Sequence, residues 1–226
     1  MMNILNSDHG KVPGIAGDMQ IEGKMKVTVI IPNYQGKDYI RACLDSLRAR
    51  QEEAIFSTLV VDNASTDGSL EIIRQEYPEV EVIALSENTG FCHAVNVGIQ
   101  ASDSPYVLLL NNDTVTMPGF VAALLQRMES DERIFSVSPM MLSLQDPSRI
   151  DDAGDRYNAL GWAFARGKGQ PAERYTKPAR IFAACGGASL YRREAVLSLG
   201  GFDENHFAYL EDIDIGYRAL IQGWSN

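Results

Sequence analysis

Hydrophobic positions along this chain fall into short runs that alternate with one-sided helical patterns. Lys26-Val-Thr-Val-Ile-Ile31 is a β-branched run closed by Pro32, and the spacing of Ile40, Cys43, Leu44 and Leu47 predicts a helix over Tyr39 to Arg48. Thr58 to Val61 is the next strand; Ser65, Thr66 and Asp67 then open a helix that runs to Tyr77 and stops at Pro78. Val80 to Leu85 reads as a third strand and Gly90 to Ala101 as a third helix. Pro105 leads into the strand Tyr106 to Leu110, and Pro118 into a helix from Gly119 to Met128, where a missing N–H costs nothing. Beyond about residue 140 the alternation fades. Residues 146–180 are rich in Gly, Asp, Arg, Tyr and Pro and read as irregular or small-sheet structure. Strand and helix signals return over Ile181 to Tyr191, Arg192 to Leu199 and Asp212 to Gln222.

Near-continuous apolar strands separated by helices predict an α/β fold, with a mostly parallel central sheet covered on both faces. Ligands of such sheets bind beyond the carboxyl ends of the strands, which directs attention to the loops starting at Pro32, Asp62, Ser86 and Asn111. The 226 residues fit a single domain over 26–226, large enough to bury about 70% of its unfolded surface. Residues 1–25 are Gly-rich and polar without a signal-peptide core, and read as a mobile leader.

Three of those four loops are unusually polar. In Leu108-Leu-Leu-Asn111-Asn112-Asp113 an apolar strand runs directly into two amides and a carboxylate. An acid fixed at the edge of a parallel sheet is placed to hold a divalent cation against a diphosphate; Asn and Asp also simply turn chains, and the residues alone leave both readings open. Asp62 follows Leu59-Val-Val61 in the same way, so two carboxylates converge on one rim. Asp67 is explained by helix capping. Neither GxxxxGK[ST] nor GxGxxG occurs, so side chains and a metal, rather than a glycine loop, would have to hold any nucleotide.

A net charge of -10 argues against a nucleic-acid partner. Cys43, Cys92 and Cys185 form no CxxC pair and predict neither a disulfide framework nor a zinc site, which fits a reducing cytoplasm. Glu211, Asp212 and Asp214 stand at the start of an amphipathic helix; an acid beside Phe207 and Tyr209 would be partly desolvated and suited to general-base work.

In this order the motifs resemble the family 2 glycosyltransferases of the GT-A fold, and among them the rhamnosyltransferase-like bacterial members. The resemblance rests on Val-Ile-Ile-Pro-Asn-Tyr (29–34), Val-Val-Asp-Asn-Ala-Ser-Thr-Asp-Gly-Ser (60–69), Asn-Thr-Gly-Phe (88–91), and Ala94, Asn96 and Gly98. It continues through Leu-Leu-Asn-Asn-Asp-Thr (109–114), Gly-Gly-Ala (186–188), Arg192-Arg193, Gly-Gly-Phe-Asp-Glu (200–204), and Glu211-Asp-Ile-Asp214 with Arg218 and Gly223-Trp224.

The resemblance implies an inverting transfer of a sugar, with rhamnose a candidate, from a dTDP- or UDP-linked donor to a hydroxyl of a glycan or lipid-linked acceptor. Pro32, Asn33 and Tyr34 would line the nucleobase site, and Asp62 would bond the base. Asn88, Gly90 and Phe91 would lie near the nucleotide, the Ala94/Asn96/Gly98 face closing the pocket. Asn111-Asn112-Asp113 would occupy the place of the family's Asp-x-Asp motif, with Asp113 as the ligand of Mg²⁺ or Mn²⁺. Gly187 and Ala188 would border the donor sugar, and Asp212 of the Glu211-Asp212 pair would be the base. His93 reads as a surface histidine.

Residues 146–180, with Asp151, Asp152, Trp162, Arg166 and Tyr175, would shape the acceptor side, although Trp162 fits a core position equally well. Asn111 departs from the leading Asp of the usual motif. The family pattern normally continues past Trp224 into a His-bearing segment and often a membrane-associating tail, so peripheral association at the inner face of a membrane is expected through segments absent here. Two other readings are a nucleotidyltransferase, which would want a Gly-rich basic loop where Pro32-Asn33-Tyr34-Gln35 stands, and a non-catalytic nucleotide-sugar-binding domain.

Overall fold

The computed structural model describes residues 25–50 and 56–226. The leader read over 1–25 thus lies, but for Met25, outside the described residues. Along the chain come β1 (Val27–Asn33), α1 (Ile40–Arg48), β2 (Phe56–Asp62), α2 (Ser69–Glu76), β3 (Glu81–Ala84), α3 (Gly90–Ala101), β4 (Tyr106–Leu110) and α4 (Phe120–Glu129). The second half holds β5 (Ser136–Val137), β6 (Met141–Leu142), β7 (Ile150–Asp152), β8 (Asp155–Tyr157), β9 (Ala163–Ala165), β10 (Ala188–Arg192), α5 (Arg193–Ser198) and α6 (Glu211–Ile221).

The main sheet runs β3-β2-β1-β4-β10-β5. The first four strands are mutually parallel, whereas β10 is antiparallel to both β4 and β5. Side chains alternate across it. Val29, Ile31, Leu108 and Leu110 pack under α1, α2 and α4; Ile30, Val61, Val107 and Leu109 pack under α3, α5 and α6. Helix α3 sits close because Gly98 has no side chain: a Cβ there would come within 2.5 Å of Ile30 Cγ2.

Several boundaries differ from the sequence expectation for local reasons. Pro32 lies inside β1 rather than closing it, because β4 pairs only as far as Ile30 and leaves the strand end bonded on one side. Helix α2 begins at Ser69 rather than Ser65, since Asp62 Oδ2 accepts from Ser65 N and Ala64 is left-handed at φ +60°, which holds 62–68 as a loop. The region 146–180 does enter small sheets: β7 pairs with β6, which precedes it, and β8 pairs with β9.

Candidate active site

The rim is organised from below by one buried amide. Asn33, 0% exposed at the end of β1, donates to Asp62 Oδ1 (2.8 Å), Ser69 Oγ (2.9 Å) and Ser65 Oγ (3.2 Å). Its Oδ1 accepts from Asn112 Nδ2 at 2.8 Å, so one side chain ties together the loops after β1, β2 and β4. Gly36 passes directly over this junction; a Cβ there would overlap both Asn33 Oδ1 and Asn112 Nδ2. Asp67 precedes the N-cap of α2, which is Gly68, and accepts from Ser69 N (2.9 Å) and from Lys37 N (2.8 Å) in the first loop.

Asp62 is therefore sealed beneath the rim rather than open to a base: it is 0% exposed, with Oδ1 on Asn33 and Oδ2 on Ser65 N. Tyr34 is half exposed and Pro32 partly buried at the end of β1. Asn63 links the next loop, accepting from Thr89 N (2.9 Å) and donating to Gly90 O (2.9 Å). Asn88 is exposed and holds Gly90 N at 3.0 Å, while Gly90 is buried and Phe91 partly so. The Ala94/Asn96/Gly98 set does not close the pocket. Ala94 and Gly98 are buried in the fold, and Asn96 binds Phe202 through N (2.9 Å) and O (2.8 Å).

Two further elements reach the rim from the second half. The backbone of Asn111 donates to Gly187 O at 2.9 Å, which sets the Asn111–Asp113 loop beside the start of β10. One residue earlier, Gly186 N donates to Asp212 Oδ2 at 3.1 Å. Asp113 is exposed, Asn111 and Asn112 half-buried and Gly187 partly open; Ala188 is buried in the strand.

Helix α6 starts from a strained approach. Phe207, Tyr209 and Leu210 all have positive φ (+53°, +72°, +66°), a conformation costing about 1–3 kcal/mol each for such residues. Phe207 O anchors this approach by accepting from Phe91 N at 2.7 Å. Phe207 and Tyr209 are themselves 55% and 86% exposed, so the desolvation expected near them falls elsewhere. Burial raises the Glu211 carboxyl, with Asp212 adding repulsion, and its Oε2 has no hydrogen-bond partner. Asp214 instead pairs with Arg218 (2.6 Å), which ties down Leu199 O and Gly201 O. His93 sits at the helix surface on Glu204 (2.9 Å).

A further cluster lies in the second half, of which the sequence reading places only Asp152 among the site residues. Ligand atoms of Asp152, Asp155 and Cys185 lie within 4.8 Å of one another, a set able to hold a cation. Burial, then repulsion from Asp212, Asp152 and Glu211, pushes Asp155 up to about 7. Burial also raises Asp152, and pushes the Cys185 thiol up to about 12. The usable signal was Asp152-Ala-Gly154-Asp155, where a turn with φ +92° at Gly154 brings the two acids together. Trp162 is 69% exposed, so its core reading is not met.

The sequence profile described as "Glycosyl transferase family 2" matches residues 28–200. The chain belongs to glycosyl transferase family 2. It is 30% identical over 225 residues to the N-acetylglucosaminyl-diphospho-decaprenol L-rhamnosyltransferase of Mycobacterium tuberculosis, covering 87% of this chain and 71% of that protein. It is 30% identical over 132 residues to the putative teichuronic acid biosynthesis glycosyltransferase TuaG of Bacillus subtilis, covering 57% of this chain and 52% of that one.

Among solved structures, the Pyrobaculum calidifontis mannosyltransferase PcManGT in complex with GDP-Man and Mn²⁺ has a TM-score of 0.65 at 18% identity, covering 90% of this chain and 54% of that one. S. aureus TarS 1-349 in complex with UDP-GlcNAc has a TM-score of 0.64 at 21% identity, covering 86% and 53%. The fold of this family 2 transferase is thus GT-A, and it spans about half the length of these solved chains. Among the described residues, no helix is long and apolar enough to cross a membrane.

Proposed function

We propose that this glycosyltransferase moves a sugar, with inversion, from a nucleoside-diphosphate donor to a hydroxyl of a lipid-linked or glycan acceptor in surface-polysaccharide assembly at the inner face of a membrane. The observation that carries the reading is the pair of adjacent backbone contacts, Asn111 N to Gly187 O and Gly186 N to Asp212 Oδ2. They bring the Asp113 loop and the Asp212 carboxylate to one dipeptide, which supports a site where a leaving group and an acceptor meet. The mycobacterial relative's name favours rhamnose as the sugar and a sugar-diphosphate lipid as the acceptor.

Asp212 takes the acceptor proton, and the freed oxygen attacks the anomeric carbon opposite the departing diphosphate. Asp113, exposed and preceded by two amides, is a hard oxygen donor that would suit Mg²⁺ or Mn²⁺. A bound ion there supplies Lewis-acid stabilisation of the leaving diphosphate. Asn33 and Asp62 act by setting the height of the rim, and Tyr34 offers the base a ring face.

The test is thermal stability with UDP, dTDP and GDP, each with and without Mn²⁺. A ligand at one hundred times its Kd adds ~2.7 kcal/mol, which moves Tm by roughly 5–10 °C in a domain of this size. A metal-dependent shift with one nucleotide, followed by turnover of its sugar conjugate, supports the proposal. Binding without turnover on any lipid-linked or glycan acceptor would favour a non-catalytic domain, and no shift at all would defeat the reading.

A further inference from the structure

The β8–β9 hairpin carries large apolar side chains that the fold leaves uncovered. Leu160 is 84% exposed, Trp162 69% and Phe164 51%. The tip that presents them is ordered: Asn158 Oδ1 accepts from Leu160 N (3.0 Å) and Trp162 N (3.1 Å), and Asn158 N donates to Trp162 O (3.1 Å). Gly161 completes the turn at φ +87°. Cross-strand register sets Phe164 opposite Arg156, and both are exposed.

Charge singles out the same stretch. Residues 156–180 hold six Lys/Arg and one acid, a net +5, whereas the remaining 201 residues carry −15. Lys177 and Arg180 line one cavity with Arg166, the residue that leaves β9. An indole, a phenyl ring and a leucine bordered by cations suit the headgroup boundary of a bilayer, where aromatic rings settle and Lys and Arg meet anionic phosphates. An acidic protein surface would satisfy the cations but leave the three apolar side chains in water. Lys168 is paired with Asp151 (2.9 Å), but an apolar partner surface would leave Arg156, Lys177 and Arg180 without counter-charge.

We propose that the β8–β9 hairpin seats this chain on an anionic lipid bilayer, with Leu160, Trp162 and Phe164 entering the headgroup boundary and Arg156 and its neighbouring cations meeting lipid phosphates. Strand β8 starts at Asp155 in the acidic cluster, so the docked hairpin brings that side of the cleft to the lipid surface. The docking goes beyond the sugar-transfer reading and does not depend on it, since vesicles alone suffice to test it.

The experiment is co-sedimentation of the full chain with vesicles of phosphatidylcholine alone, or of phosphatidylcholine and phosphatidylglycerol in equal parts, without donor, acceptor or metal. Wild type is expected to pellet with the anionic vesicles and to release at about 0.5 M salt, where charges are screened within a few ångströms. L160S/W162S/F164S should bind at least tenfold more weakly, and R156E about fivefold. Brominated lipid gives a second readout on the intact fold: wild-type Trp fluorescence is quenched, and in W162F, which keeps Trp224 alone, quenching is lost while pelleting persists. Absence of pelleting, equal pelleting of the triple variant, or a dimer that dissolves in that variant would overturn the proposal.

Discussion

Asn33 and Asp62 meet at 2.8 Å beneath the rim, and both are fully buried. A carboxylate taken out of water needs its oxygens satisfied, and Asn33 satisfies one while accepting from Asn112 across the next strand. Asn33→Ala leaves Asp62 and Asn112 each short of a partner, at ~1–3 kcal/mol per orphaned buried group. Tm should fall by ~4 °C or more, with loss of the nucleotide-dependent shift. Unchanged melting would mean that water replaces the amide and that the three loops are positioned independently.

Gly36→Ala should be as damaging as losing Asn33 itself, because the new methyl would occupy the Asn33–Asn112 hydrogen bond. Gly119→Ala provides the contrast: its Cβ meets nothing within 4 Å, so only the positive φ resists it, at a cost of about 1 kcal/mol. Chemical denaturation of the two variants side by side checks the order.

Asp113→Ala is expected to abolish the Mn²⁺-dependent part of the nucleotide stabilisation while leaving the melting of the unliganded chain within ~2 °C, as suits an exposed residue. A retained metal effect in this variant would move the cation to another set, with Asp152, Asp155 and Cys185 the first to examine.

Asp212→Asn should cut the transfer rate by ~10²–10⁴ with little change in donor affinity, since the amide keeps an oxygen for Gly186 N. Isothermal titration with the nucleotide and single-turnover transfer separate the two quantities. A parallel loss of donor binding would make Asp212 a structural strut and not a base.

The raised Asp155 gives a stability prediction with a definite sign. Its folded value of about 7 lies above the ordinary carboxylate value, so the folded chain binds the proton more tightly than the unfolded one. Its contribution is therefore most favourable below about pH 4 and is lost as pH rises through 7. Asp155→Asn should leave Tm nearly unchanged at about pH 4 and raise it by ~2–4 °C at about pH 8, the effect of roughly one kcal/mol. A larger gain at low pH than at high pH would contradict the assignment.

The parallel half of the fold was legible because its strands are written locally. Tyr106–Leu110 and Gly90–Ala101 fall where the apolar runs and turn residues put them. The second half was not, for a physical reason: β10 is specified by its neighbours β4 and β5, and nothing within Ala188–Arg192 encodes an antiparallel entry between them. Asp113 and Asp212, the proposed metal ligand and base, could be named as candidates because strand ends and helix starts mark them. The burial of Asp62 depends on Asn33, Ser65 and Ser69, and the company of Asp155 and Cys185 on the pairing of Asp155 with the distant Ala183, which no local pattern records.

The reversed strand has a consequence for how such a protein can be remade. The chain leaves the sheet at Val137 and re-enters at Ala188 on the adjacent strand, so the intervening excursion begins and ends at one place. That excursion carries Asp152, Asp155 and the exposed hairpin, while the Asn33 junction and the Asp113 loop lie wholly outside it. Residues 138–180 are therefore an exchangeable cassette, whose replacement leaves the parallel strands in register as long as Gly186 and Gly187, which bond Asp212 and Asn111, stay in place.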